Sequence, residues 1–322
     1  MPGFTTHYLL GKDLYKGLPK GPIKKNLSKN HRAFCLGLQG PDIFFYYVPA
    51  HLDSNRNIGN VMHDTNTLDY FENLIDARNE IKNIEIREKV DAYILGFIGH
   101  YSMDTICHPY IYSRSHYVKY KDDKSRDFGN HVALETDIDK TMLSTCLGKR
   151  PTDFKPEDTI NLCEKDMIDL SHVIFKAIRR TYPKYFITPF RIRNAMRFMR
   201  LENKWMKDKT GIKKFTLRSI EQILYKHSFI SSMIPSDKIT RYKDCCNERH
   251  GTWRNPWNPT SAQNDSFFEL VTQASNDYLR RIELYAEVMA CKPGMNSNDR
   301  FRSMNQLLGD LGDCSYLSGL PL

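Results

Sequence analysis

The stretch from Val90 to Pro109 constrains this 322-residue chain more than any other. Val90, Tyr93, Ile94, Phe97 and Ile98 recur at the spacing of one helix face, and His100, Asp104 and His108 follow at intervals of four. Residues four apart in a helix stand one above the other, so two imidazoles and a carboxylate share one side of one helix. Leu68, Phe71, Leu74 and Ile75 mark a second amphipathic face, while alternating β-branched strands bounded by Asn-Gly turns are missing. The patterns predict an all-α protein. Further helices are expected over 5–16, 31–38, 130–147, 157–181, 189–208, 215–227, 262–290 and 298–308, punctuated by Pro183, Pro189, Pro235 and the stretch Trp253 to Pro259.

The polar segment Ser113 to Asn130 is read as a loop joining two of these helices. Structureless connections above about 12–15 residues often act as lids or binding loops, which makes it a candidate substrate loop; an inert surface excursion is the alternative. Hydrophobic residues make up 40% and charged residues 26% of the chain, which argues against disordered, collagen-like and disulfide-scaffold classes. The longest clean apolar run, Ala92 to Gly99, is less than half of the ~20 residues a membrane helix needs. The opening residues lack the basic and apolar regions of a signal peptide, so a cytoplasmic location with reduced thiols is expected. The adjacent Cys245 and Cys246, followed by His250, form a poor half-site for a metal and are read as structural thiols.

The net charge of +9 is uneven: Lys176 to Arg218 holds 14 basic residues against Glu202 and Asp208 alone. Such a patch favours anionic partners, whether phosphorylated substrates, lipid headgroups or nucleic acid. Within it Arg193, Arg197, Arg200 and Lys204 repeat beside Phe198, Leu201 and Trp205. That pattern suits a helix lying on an anionic membrane, although a solvated basic face over an ordinary core stripe is the favoured reading.

Eight of the eleven histidines lie in the first 131 residues, and the helix expected at 130–147 repeats the four-residue device with His131 and Glu135. A lone His-x-x-x-Asp arises by chance or ion pairing, but two such platforms on consecutive helices point to metal binding. His7, Asp42 and His63 are the further ligands available. Eight imidazole and carboxylate groups exceed the needs of one tetrahedral ion, which suggests two or three metals. Mixed N/O ligation suits zinc best, ahead of manganese or iron.

At these residues the sequence resembles the zinc-dependent phospholipase C family, whose relatives include fungal and plant single-strand nucleases. The likeness lies in Thr6-His7, the Pro41-Asp42 turn, His63, the His100/Asp104/His108-Pro109 helix and the His131/Glu135 helix, in that order. It implies an all-helical fold whose zinc cluster hydrolyses phosphodiesters. Carried over by position, Asp42, His63, His100 and Asp104 would hold one zinc, and His108, His131 and Glu135 a second. His7 would serve a third, sharing Asp104. Secreted members complete that third site with an N-terminal tryptophan, which has no counterpart near the start of this chain. The short gap between Asp104 and His108 departs from them too, but keeps the helical repeat.

The resulting expectation is a phospholipase C-type hydrolase, with residues 1–150 as metal-binding catalytic core and 151–322 as a helical region packed on it in one domain. Asp42 is the candidate catalytic carboxylate, and a phospholipid-like diester the expected substrate. The aromatic run Phe44 to Tyr47 either lines a headgroup pocket or serves core packing. A single-strand nuclease and a non-catalytic, metal-stabilised helical protein are the alternatives; no nucleic-acid motif is evident. An HD-type phosphohydrolase built on His63-Asp64 leaves the two helix platforms unexplained.

Overall fold

The computed structural model describes residues 3–47, 57–116, 124–228, 230–290 and 297–322. Its helices are α1 (Phe4–Gly17), α2 (Pro22–Lys29), α3 (His31–Gly37), α4 (Ile58–Met62), α5 (Thr67–Asn79), α6 (Ile84–Arg114), α7 (Lys124–Leu147), α8 (Pro156–Thr159), α9 (Glu164–Thr181), α10 (Pro189–Trp205), α11 (Ile212–Tyr225), α12 (Phe267–Ala290) and α13 (Ser297–Leu311). Two short antiparallel strands, β1 (Trp253–Asn255) and β2 (Asn258–Gln263), form the one sheet among the described residues. The fold is all-α, as the periodicity predicts.

The organising element is α6. Its N-terminus is capped by Asn83, whose side chain accepts from the amides of Glu85 and Ile86, and every residue from Val90 to Asp104 is buried. A helix buried on all sides must be surrounded, and α3 and α12 lie along α6 while α1, α5, α7, α9 and β1 also reach it. The approach of α3 is closest where Gly37 meets Gly96: a Cβ on Gly37 would stand 2.0 Å from the Tyr93 carbonyl oxygen, and one on Gly96 2.2 Å from that of Phe34. Hydroxyls lock the other side, with Tyr278 donating to the Leu95 carbonyl at 2.7 Å and Tyr110 to that of Cys245 at 2.6 Å. Among the described residues, no helix is long and apolar enough to cross a membrane.

Several boundaries differ from expectation for local reasons. The segment expected as one helix over 157–181 is broken, because Ile160 and Leu162 turn into the core between α8 and α9. The helix expected from 262 starts at Phe267, and residues 258–263 form β2 instead. A Ser266/Glu269 capping box marks the true start, Glu269 Oε2 accepting from the Ser266 amide at 2.7 Å. α2 was missed because it buries only Leu27 and so carries no apolar stripe. The proposed loop Ser113 to Asn130 is helical at both ends, through Arg114 and from Lys124; its residues 117–123 lie outside the described residues. On α10, Arg197 grips Glu164 with Nη2 at 2.7 and 2.6 Å and Arg193 approaches the same carboxylate, while Ile192, Ala195, Met196 and Met199 face the core. The basic stripe is therefore partly neutralised within the chain.

One charged pair lies inside this packing. Arg78 donates to both oxygens of Asp91 at 2.6 and 2.8 Å, and the Tyr285 hydroxyl adds a bond to Oδ1 at 2.8 Å, tying α5, α6 and α12 together. Removing one partner strands a buried charge. Arg78→Met is expected to lower stability by about 3–5 kcal/mol in urea denaturation, and adding Asp91→Asn to recover much of that loss.

Candidate metal centre

Each candidate ligand is delivered by an element with its own anchor. α1 presents His7, and its first turn is fixed by Asp139 of α7, which accepts from the amides of Thr5 (3.0 Å) and Thr6 (2.8 Å) and from the Thr6 hydroxyl. Asp42 sits in the 3-10 turn Gly40–Phe44 that follows α3, and His63 closes α4 as its C-cap. His100, Asp104 and His108 lie on α6, and His131 and Glu135 on α7. All eight side chains are buried, the most exposed being His131 at 7%.

The structure brings all eight into one region. Asp104 stands at the centre: its Oδ1 is 3.2 Å from His7 Nε2, and its Oδ2 is 3.1 Å from His100 Nε2, 3.5 Å from His63 Nε2 and 3.7 Å from His108 Nδ1. Asp42 Oδ1 lies 3.2 Å from His63 Nε2 and 3.9 Å from His100 Nε2. Glu135 Oε1 lies 2.7 Å from His131 Nε2 and 4.0 Å from His108 Nε2. Three sets gather donor atoms within 4.8 Å of one another: His63/His100/Asp104, His7/Asp42/His100 and His108/His131/Glu135. His7 also stacks on His100, with ring centroids 4.3 Å apart.

The protons on three of these rings are assigned by their partners. His63 Nδ1 donates to the Gly59 carbonyl at 2.6 Å, His100 Nδ1 to that of Leu38 at 3.2 Å, and His108 Nδ1 to that of Tyr316 at 2.6 Å. A carbonyl oxygen only accepts, so in the neutral rings Nε2 carries a bare lone pair. Those Nε2 atoms are buried without a hydrogen-bond partner, as are Asp42 Oδ1 and both oxygens of Asp104. Lone pairs and anionic oxygens packed out of water repel one another unless a cation stands among them. Protonation is the chain's own relief: although burial opposes it, Asp104 and Asp42 push His63 up to about 9. Burial would likewise raise Asp104, yet His100, His108 and His63 hold it well below the usual carboxylate range. At the α7 end burial prevails, lowering His108 and His131 and raising Glu135. The donor set therefore fits divalent cations of the zinc type.

A family model described as zinc dependent phospholipase C matches residues 6–191, more than half of the chain and all eight of these side chains. The chain belongs to the zinc-dependent phospholipase C family. No curated protein and no solved structure matches it. Family and donor set agree on zinc as the cofactor class.

This phospholipase C-family chain also uses residues that sequence reasoning missed. Asp139 continues the four-residue series of His131 and Glu135, a signal that was present but went unread. The C-terminal strap 313–322 left no signal at all. Its Tyr316 amide donates to the His63 carbonyl at 3.0 Å, its carbonyl receives the His108 proton, and its ring lies 5.0 Å from that of His63. The hairpin brings Trp257 to 4.9 Å from Tyr112, which in turn lies 4.4 Å from His131. In the aromatic run, Phe44 is core, whereas the Phe45 ring lies 5.5 Å from His63 at the centre itself. His250 Nδ1 lies 3.0 Å from the Asn264 carbonyl oxygen and 3.6 Å from Glu269 Oε2.

The strap seats itself through Gly319, where φ is +65° and a Cβ would stand 2.2 Å from the Thr105 carbonyl oxygen. Gly319→Val is expected to lift the strap and leave His108 without its acceptor. Zinc affinity, measured by chelator competition, should fall about 10–100-fold, the usual effect of losing a partner behind a ligand. Unchanged affinity would show that the strap does not support the centre.

Proposed function

We propose that this chain is a zinc-dependent phosphodiester hydrolase of phospholipase C type, acting on a phospholipid-like diester. The observation that carries the reading is the convergence of bare imidazole nitrogens on Asp42 and Asp104 inside the family's matched region. On this reading His63, His100, Asp42 and Asp104 hold one zinc, His108, His131 and Glu135 a second, and His7 with Asp104 a third. Residues 1–150 then form the catalytic core, and the region 151–322 braces it, with α12 lying along α6.

Bound zinc supplies the positive charge that holds a phosphodiester anion and lowers the pKa of a water toward about 7. The chain's own part is positional and basic. Asp42, on a short turn rather than inside a helix, orients the attacking water and takes its proton through Oδ1. Attack at phosphorus breaks the bond to the glycerol-side oxygen, which leaves with a proton as the alcohol. The carbonyls of Gly59, Leu38 and Tyr316 keep the ligand rings from turning during this exchange.

Elemental analysis after zinc-supplemented expression is expected to find at least two ions per chain. His100→Ala and His131→Ala should each lose metal from a different set, and wild-type metal content in both variants would refute the assignment. The zinc-loaded protein is expected to cleave a nitrophenyl phosphocholine in preference to single-stranded DNA. Asp42→Asn should slow this reaction by about 10²-fold or more, with metal content measured alongside to separate ligand loss from loss of the proton acceptor. Cleavage of single-stranded DNA with no action on lipid-like diesters would instead mark a nuclease.

A further inference from the structure

The helix α11 is built inside out. Its two buried side chains are Lys214 and Glu221, seven residues apart and so on one face. Lys214 Nζ donates to the Ile234 carbonyl at 3.0 Å, and Glu221 accepts from the amides of Ile230 (2.6 Å) and Ser231 (3.2 Å). Asp208 caps the first turn through the amides of Gly211 and Lys214 at 2.9 and 2.8 Å. Hydrogen bonds rather than apolar burial thus hold the helix, which packs chiefly on the turn Ile230–Met233.

The apolar side faces away. Ile212, Phe215, Ile223 and Leu224 are 64–80% exposed and Ile220 is 47% exposed, the reverse of the usual surface helix. Lys213 Nζ donates to the Trp205 carbonyl at 2.7 Å, which brings the start of α11 to the end of α10, where Trp205 and Leu201 are exposed four residues apart. The surroundings are basic: from Arg200 to Lys226 there are eight Lys/Arg against three acids, of which Asp208 and Glu221 are buried on backbone amides. An exposed apolar stripe with a cationic rim matches the interfacial zone of an anionic bilayer. A second copy would bring the same positive rim against it.

The inward side of the helix is joined to α7. The turn that anchors Glu221 is tied to α7 by Thr136, whose hydroxyl donates to the Ser232 carbonyl at 2.9 Å. We propose that the outward face of α11, with Trp205 and Leu201, docks the protein on an anionic lipid surface. The proposal shifts membrane contact from the Arg193/Arg197 stripe, which Glu164 occupies, to the outward face of α11. It rests on the phospholipase reading only for the supposition that a lipid surface is where the substrate lies.

Flotation of the zinc-loaded full chain with phosphatidylcholine/phosphatidylglycerol vesicles, against phosphatidylcholine alone, tests it. Binding is expected to favour the anionic vesicles and to weaken with salt. The double substitution Phe215→Asp/Ile223→Asp should lower partitioning by about tenfold or more. Because both side chains are exposed, the thermal unfolding midpoint and the hydrolysis of soluble nitrophenyl phosphocholine should stay at wild-type values. Equal flotation of variant and wild type would overturn the proposal, as would a wild-type dimer in light scattering that the variant dissolves. Vesicle binding that the variant loses, in a protein inactive on every diester, would keep the docking face and overturn the hydrolase reading instead.

Discussion

A carboxylate removed wholly from water is costly unless charge or hydrogen bonds compensate it, and Asp104 has no exposed surface. Its compensation comes from four imidazoles on three parts of the chain: His7 on α1, His63 after α4, and His100 and His108 one turn away on α6 itself. Much of the architecture serves that requirement. α6 has to be central, α1 has to cross it, and the turn bearing Asp42 has to approach closely, which the meeting of Gly37 and Gly96 permits. The same arrangement concentrates more donor lone pairs than the chain has protons to quiet, which is why the centre suits cations.

What could be read in the sequence was whatever repeats locally. The series His100/Asp104/His108 and His131/Glu135 announced helices and a shared donor face, and both helices are present. Contacts between residues far apart left no such trace. Tyr316 serves His108 from 208 residues away, and a single carbonyl oxygen has no residue-type signature. The hairpin escaped notice because β2 is almost entirely exposed and shows no alternation. α11 was recognised as a helix, but its orientation was hidden: an amphipathic pattern tells that two faces differ, and only tertiary hydrogen bonds to Lys214 and Glu221 decide which one turns inward.

The boundary of the family match divides the molecule in an informative way. Residues 6–191 contain every candidate ligand, whereas the strap and the outward-facing helix lie beyond it. Of the carbonyls that orient the donor rings, those of Gly59 and Leu38 thus lie inside the matched stretch and that of Tyr316 outside it. Arg281 of α12 illustrates the linkage, donating to Ser102 at 2.8 Å within the part of α6 that carries the candidate ligands and to the Asp310 carbonyl at 3.2 Å just before the strap.

Pro109 gives the strap its seat. Lacking an amide proton, it leaves the Thr105 carbonyl without the usual partner one turn on, and Gly319 lies against that oxygen. A ribosome releases a chain from its N-terminus, so all eight donors emerge long before Tyr316 does. Until then His108 has no Tyr316 acceptor to select its tautomer. The complete set of supports is thereby coupled to synthesis of residues 313–322, and a nascent polypeptide that stops short of them would carry the donors with one of their supports missing.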